Sequence, residues 1–170
     1  MAKNLIILNQ SKPKDAQLAE ELARMLPKCA YYNGDHGWQS SPFNGSEDAF
    51  LMALDTAIYA VNNFVKAGLY DNIVFTWYLP ERQYIDILLK HLKAGNYFVS
   101  FFNLADFSKH DEMYQNDAPR IDDVEYYRVY NNVHPIKLCH LDIGNLEFIE
   151  QVNLIYEHIK PTDESEQEAR

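Results

Sequence analysis

Cysteine is scarce in this sequence. The two residues present among 170, Cys29 and Cys139, stand beside strand-like segments and lack the paired spacing of metal ligands. Buried free thiols are therefore expected, rather than a disulfide or a metal site. Long apolar runs are missing too. No segment approaches the about 20 residues that a membrane span requires, and the run in MAKNLIILNQ is too short for a signal peptide. The expectation is a soluble, cytoplasmic protein. Positive charge is also in short supply: 15 Lys and Arg against 25 Asp and Glu leave a net charge of -10 and a pI near 4.9. Nucleic-acid backbones and anionic membranes would be repelled by such a chain, which argues against both as partners. Apolar residues are plentiful, at 47% hydrophobic and 14% aromatic, enough for one packed core and too few residues for two. With no internal repeat or linker, a single domain over 1–160 is expected, followed by the charged tail 161–170 (PTDESEQEAR), for which disorder is expected.

The apolar residues fall into alternating patterns. LIIL (Leu5–Leu8) is a continuous run of the kind that forms a strand covered on both faces. Leu18, Ala19, Leu22, Ala23 and Leu26 then recur at helical spacing, and Pro27 closes that helix. CAYY (Cys29–Tyr32) reads as a second strand ending in a turn at Asn33-Gly34-Asp35. Residues 36–46 (HGWQSSPFNGS) read as a loop, with Ser46 placed to cap a long helix from Glu47 to Lys66 and Gly68 placed to stop it. IVFTWY (Ile73–Tyr78) is a third strand, and Pro80 and Glu81 suit the first turn of a helix running to about Leu92. YFVSFF (Tyr97–Phe102) is a fourth strand. A polar, irregular stretch from Leu104 to Pro119 and a helix from about Asp122 to Tyr130 lead to IKLCHL (Ile136–Leu141), the fifth strand, and to a last helix with Phe148, Ile149, Val152, Ile155 and Ile159 on it. Strands alternating with helices predict a three-layer αβα sandwich around a five-stranded, mostly parallel sheet.

The pieces LIILN, LAEELARMLP, YYNGD, the PF of SSPFNG, AVNNF and NIVFTWYLPE, followed more weakly by RIDDVEYYR, resemble in order and spacing a family of small bacterial P-loop proteins, nucleotide-kinase-like or shikimate-kinase-like ATPases. The resemblance covers nearly the whole chain. It implies a P-loop NTPase topology, with a phosphate-binding loop between the first strand and first helix, where G-x-x-x-x-G-K-[ST] cradles nucleotide phosphates. Here that loop is NQSKPKDAQ. With the helices aligned on Leu18-Ala19 and Leu22-Ala23, the motif lysine falls on Asp15, the magnesium-binding Ser/Thr on Ala16 and the second glycine on Lys14. A loop without glycine lacks the freedom to wrap a phosphate, Pro13 supplies no N–H, and Asp15 opposes an anion.

The resemblance also implies where other site residues would stand. Asp35 matches the acidic residue that such kinases carry after the second strand, where it can orient or deprotonate an acceptor hydroxyl; an Asx turn is the structural alternative. His36 and Trp38 would line the same acceptor-side pocket, with Glu81 close by at the end of the third strand, although the helix dipole alone accounts for an acidic residue at Glu81. Lys12 and Lys14 offer vestigial phosphate contacts, or are simply solvated. Arg120 and Arg128 lie where such kinases place lid arginines, or form ordinary surface ion pairs. Residues 104–119 would be the lid. Tyr126, Tyr127 and Tyr130 offer a patch for self-association, including a homodimer, or for a partner.

Three readings follow. The first is a degenerate kinase-like protein without conventional ATP-dependent phosphoryl transfer, which keeps a small-molecule pocket or a regulatory binding face and needs no cofactor. The second is an active phosphotransferase or ATPase that uses Mg-ATP through a noncanonical loop built on Lys12 and Lys14. The third is a structural protein-interaction module. The backbone path from Asn9 to Gln17 bears on the choice: the question is whether several N–H groups converge on one point.

Overall fold

A computed structural model describes residues 3–105 and 136–159. Five strands, β1 (Lys3–Asn9), β2 (Cys29–Asn33), β3 (Asn72–Trp77), β4 (Tyr97–Ala105) and β5 (Ile136–Asp142), form one sheet in the order β2-β3-β1-β4-β5. Every pairing is parallel. Helices α1 (Asp15–Met25), α2 (Glu47–Ala67), α3 (Arg82–His91) and α4 (Phe148–Ile159) cover it.

The alternation of β1 side chains divides the core in two. Leu5 and Ile7 point to one face, where they join Phe75 and Trp77 of β3, Phe50, Leu54, Ile58 and Val61 of α2, and Ile85 and Leu88 of α3. Ile6 and Leu8 point to the other face and join Val74, Phe102 and Leu104 beneath Leu18 and Leu22 of α1 and Val152 and Ile155 of α4. An unbroken apolar run is therefore what β1 requires: each residue removed from water contributes about 2 kcal/mol, and both of its faces are covered. The αβα architecture and parallel five-stranded sheet agree with the pattern in the sequence.

Several boundaries differ from expectation. Asn9 closes β1 and Asp15 opens α1, so the loop between them is shorter than the polar stretch NQSKPKDAQ suggests. The turn expected at Asn33-Gly34-Asp35 continues as a 3₁₀ helix over Gly34–Trp38, into residues expected to be loop, because the Asn33 side chain accepts from the Asp35 N–H and starts it. Pro80 and Glu81 precede α3, with Glu81 at its N-cap. Leu104 and Ala105, read as the start of an irregular stretch, continue β4 in register with Leu141 and Asp142. Ser46 and Gly68 cap α2 as expected: the Ser46 hydroxyl accepts from Ala49 N–H at 3.2 Å, and Gly68 takes the left-handed φ of 64°. Cys139 is buried and Cys29 is half-buried rather than fully so; both are free thiols, on the two opposite edge strands. The expected helix at 122–130, Tyr126, Tyr127, Tyr130, residues 106–119 of the stretch 104–119 expected as a lid, and the tail 161–170 lie outside the described residues. Among the described residues, no helix is long and apolar enough to cross a membrane.

Candidate functional site

Parallel sheets gather their functional loops at the carboxyl ends of the strands. At that edge β1 ends in Asn9 and β3 in Trp77, and the polar residues around them make two adjacent sets of buried hydrogen bonds. Asn9 donates through Nδ2 to Asn103 Oδ1 at 2.9 Å and accepts from the Leu79 N–H at 3.0 Å, which fastens the ends of β1, β3 and β4 to one another. Gln10 donates through Nε2 to Thr76 Oγ1, whose hydroxyl in turn donates to Leu8 O at 3.2 Å. A buried amide or hydroxyl is tolerated only when its hydrogen bonds are made, so these two sets hold the loops above them in one arrangement.

The loop from Gln10 to Lys14 then turns into α1. Three donors converge on one atom there. The N–H of Ser11 at 2.8 Å, the Ser11 hydroxyl at 3.0 Å and the N–H of Lys12 at 3.1 Å all reach Asp15 Oδ2. Asp15 is 1% exposed. The N–H groups of Asp15, Ala16 and Gln17 return to the carbonyls of Lys12, Pro13 and Lys14 at 3.0, 3.3 and 3.1 Å. Those donors are turned inward onto the chain itself. Lys12 is half-buried and Lys14 exposed at the N-cap of the helix.

Across the β3 end from this loop lies an aromatic cluster. The Trp77 ring, 1% exposed, stacks on Phe50 with centroids 4.6 Å apart and meets Trp38 edge-on at 6.0 Å. Phe50 also packs on Tyr84 at 4.6 Å. Trp77 lies directly over Gly34, where a Cβ would come within 2.2 Å of the indole, so only glycine admits this approach. The indole N–H of Trp77 donates to Asp35 Oδ1 at 2.9 Å and orients that exposed carboxylate. His36, also exposed, sits edge-on to Tyr32 at 6.0 Å. Trp38 is half-buried, with its indole N–H given to Asn44 O at 3.1 Å. Burial first, and then the carboxylates of Glu47 and Glu81, push the Tyr84 phenol above its ordinary pKa.

Asp35, His36 and Trp38 are thus brought together on one 3₁₀ turn. Glu81 belongs to the other flank of the cluster, where its carboxylate accepts from Gln83 Nε2 at 2.6 Å. Lys12 and Lys14 stand apart on the β1–α1 loop, and Arg120 and Arg128 lie outside the described residues. Sequence reasoning missed the role of Asp15 as the acceptor of its own loop. The signal was present: an acid at the first position of a helix can turn its carboxylate back onto N–H groups of the turn before it, where the dipole also favours its charge. Phe50, Trp77 and Tyr84 read as ordinary core residues, and no local pattern distinguishes a core aromatic from one at the strand-end crevice. Among the described residues, no three His, Cys, Asp or Glu side chains are placed to hold a metal ion.

No protein-family model matches the sequence, and no curated protein matches it. Solved structures do match. The tunicamycin resistance protein of Deinococcus radiodurans aligns over 94% of this chain and 97% of its own, at a TM-score of 0.58 and 16% identity. A gluconokinase from Sinorhizobium meliloti aligns over 90% of this chain and 89% of its own, at 0.55 and 12%. An APS kinase from Thiobacillus denitrificans aligns over 92% of this chain and 29% of its own, at 0.60 and 16%. With these likenesses, a parallel β2-β3-β1-β4-β5 sheet and a helix entered directly from the first strand, the chain has the P-loop kinase-like α/β fold.

Proposed function

We propose that this protein is a P-loop kinase-like scaffold retained for binding, one that does not carry out conventional ATP-dependent phosphoryl transfer. The observation that carries the reading is the occupancy of the β1–α1 loop: the donors of Ser11 and Lys12 are held by the chain's own carboxylate, Asp15. In a nucleotide-binding loop such donors face phosphate oxygens, and a fixed negative charge at the same place repels a polyphosphate. The rest of the machinery fits Mg-ATP no better. Pro13 has no N–H to offer, and the end of β3 presents Thr76 and Trp77 where a carboxylate would hold magnesium. Asp35 and the aromatic cluster beside it support a function in recognition. Glu81 and His36 flank that same face.

Calorimetric titration tests the reading directly. Mg-ATP and Mg-GTP are expected to bind no tighter than about 1 mM, some 4 kcal/mol. Micromolar binding that disappears in a Lys12→Ala, Lys14→Ala variant would overturn the proposal in favour of a working, noncanonical phosphate loop.

A further inference from the structure

Between Lys28 and Lys66 the chain has no lysine or arginine, while Asp35, Glu47, Asp48 and Asp55 fall inside the gap. In the fold this stretch forms β2, the 3₁₀ turn, the loop after it and nearly all of α2. All four carboxylates are exposed, and among the described residues none is in an ion pair. Asp48, Met52 and Asp55 follow one another at helical spacing on one side of α2, where Met52 is 59% exposed, and Phe43 is 66% exposed on the loop that leads into that helix.

Phe43 is held in place. Its ring packs on Trp38 with centroids 5.3 Å apart, and Trp38 is itself seated on Phe50. The loop is pinned on either side of it, because Trp38 Nε1 donates to Asn44 O, Asn44 N donates to Ser40 Oγ and Ser46 N donates to Asn44 Oδ1. An aromatic ring fixed in solvent has already lost its conformational entropy, so an incoming apolar group meets a preorganised surface. The charge around it selects the partner. A second copy of this chain would bring the same acidic face and a net charge of -10; nucleic acid or an anionic membrane would bring more negative charge still. A polycation is attracted.

We propose that this stretch docks a basic polypeptide segment of a partner protein, with apolar side chains against Phe43 and Met52 and flanking Lys or Arg side chains over Asp48 and Asp55. The assignment rests on the reading above of a fold kept for binding. The chain's two tryptophans, Trp38 and Trp77, touch each other beneath this face, so intrinsic fluorescence reports on it.

The probes are a synthetic peptide of alternating Lys and Leu and a companion in which Ser replaces every Leu, titrated into the full chain. The Lys/Leu peptide is expected to give a saturable change in tryptophan fluorescence. Binding should weaken about tenfold for the Lys/Ser peptide or for a Phe43→Ala variant, as for loss of an interface anchor. It should also weaken as the screening length falls from about 10 Å at 0.1 M salt to about 3 Å at 1 M, and an Asp48→Asn, Asp55→Asn variant should flatten that dependence. Phe43 is exposed, so its variant should keep the wild-type melting temperature. Absence of binding, equal binding of the two peptides, or equal binding by Phe43→Ala overturns the proposal. Sedimentation showing a dimer that Phe43→Ala abolishes overturns it in favour of a second copy. The Mg-ATP titration is separate: tight nucleotide binding would sink the reading of lost phosphoryl transfer while the peptide result stood by its own outcome.

Discussion

Asp15 combines two roles that a residue at a helix start can hold. Its carboxylate completes the donors of the turn before it, and its charge faces the positive end of the α1 dipole. Replacing it with alanine strands the N–H groups of Ser11 and Lys12, and the melting curve of Asp15→Ala should show a loss of about 1–2 kcal/mol. That variant should still fail to bind Mg-ATP in calorimetry, because Pro13 and the absence of glycine remain; a gain of micromolar binding would show that the carboxylate alone closes the loop. Gly34 has the opposite problem, since a methyl group there would stand 2.2 Å from an indole that is itself packed on all sides. Gly34→Ala should cost about 3 kcal/mol in chemical denaturation. Cys29 provides a pH signature. Burial pushes its thiol from 9.0 up to about 11, partly offset by a hydrogen bond from the backbone at Val74. The folded chain therefore holds this proton more tightly than the unfolded one. The contribution is fully present below pH 9 and is lost as pH rises from about 9 to about 11. Cys29→Ala should flatten that part of the stability profile, and an unchanged slope would assign the alkaline loss to other groups.

At the scale of the element, α2 shows local chemistry deciding a boundary. Ser46 accepts at the N-terminus, Glu47 and Asp48 add negative charge to the first turn, Lys66 sits in the last turn, and Gly68 adopts φ 64° to return its N–H to Phe64 O. Each of these signals is readable in isolation, which is why the expected and observed ends agree to within a residue. Ser46→Ala and Gly68→Ala should each cost about 1 kcal/mol, as read from urea midpoints, and because the two ends share no contacts the costs should add. Where a boundary depends on a neighbour, the sequence is less legible. β4 extends through Leu104 and Ala105 because β5 lies alongside it in register, and a polar context after Phe102 carries no trace of that pairing. The 3₁₀ turn at Gly34–Trp38 is an intermediate case: Asn33 supplies a local cap, but the turn is completed by Trp77, forty-three residues on from Gly34.

The whole molecule has a sheet whose order places its first strand in the centre, flanked by β3 and β4. Whatever loop follows β1 must then lie in the middle of the strand-end crevice, with α1 aimed into it. In this chain that central place is occupied by an internal salt-free contact, Asp15 on its own loop, and the flank beside β2 and β3 is filled by Trp38, Phe50, Trp77 and Tyr84. Under the function proposed above, this crevice serves recognition rather than phosphoryl transfer. Thermal melts bear on this at the molecular scale: a nucleotide that bound the native state at a hundred times its dissociation constant would stabilise it by about 2.7 kcal/mol. Millimolar Mg-ATP is accordingly expected to leave the melting temperature unchanged, and a rise would point to nucleotide binding.

The sequence by itself determined the alternation of strands and helices, the double-faced burial of β1, the caps of α2 and the absence of glycine from the first loop. All of these rest on chemistry within a few residues: periodicity, capping groups and backbone freedom. It also placed Asp35, His36 and Trp38 together, because they are neighbours in the chain. Only the tertiary structure decided that Asp15 turns its carboxylate onto Ser11 and Lys12, that Trp77 holds Asp35, and that Asn9 and Asn103 tie β1 to β4. Those contacts depend on which strands become neighbours and on which side chains a parallel sheet brings to one edge. That information is spread over the whole chain, since it arises from the competition of all its apolar surfaces for the same core.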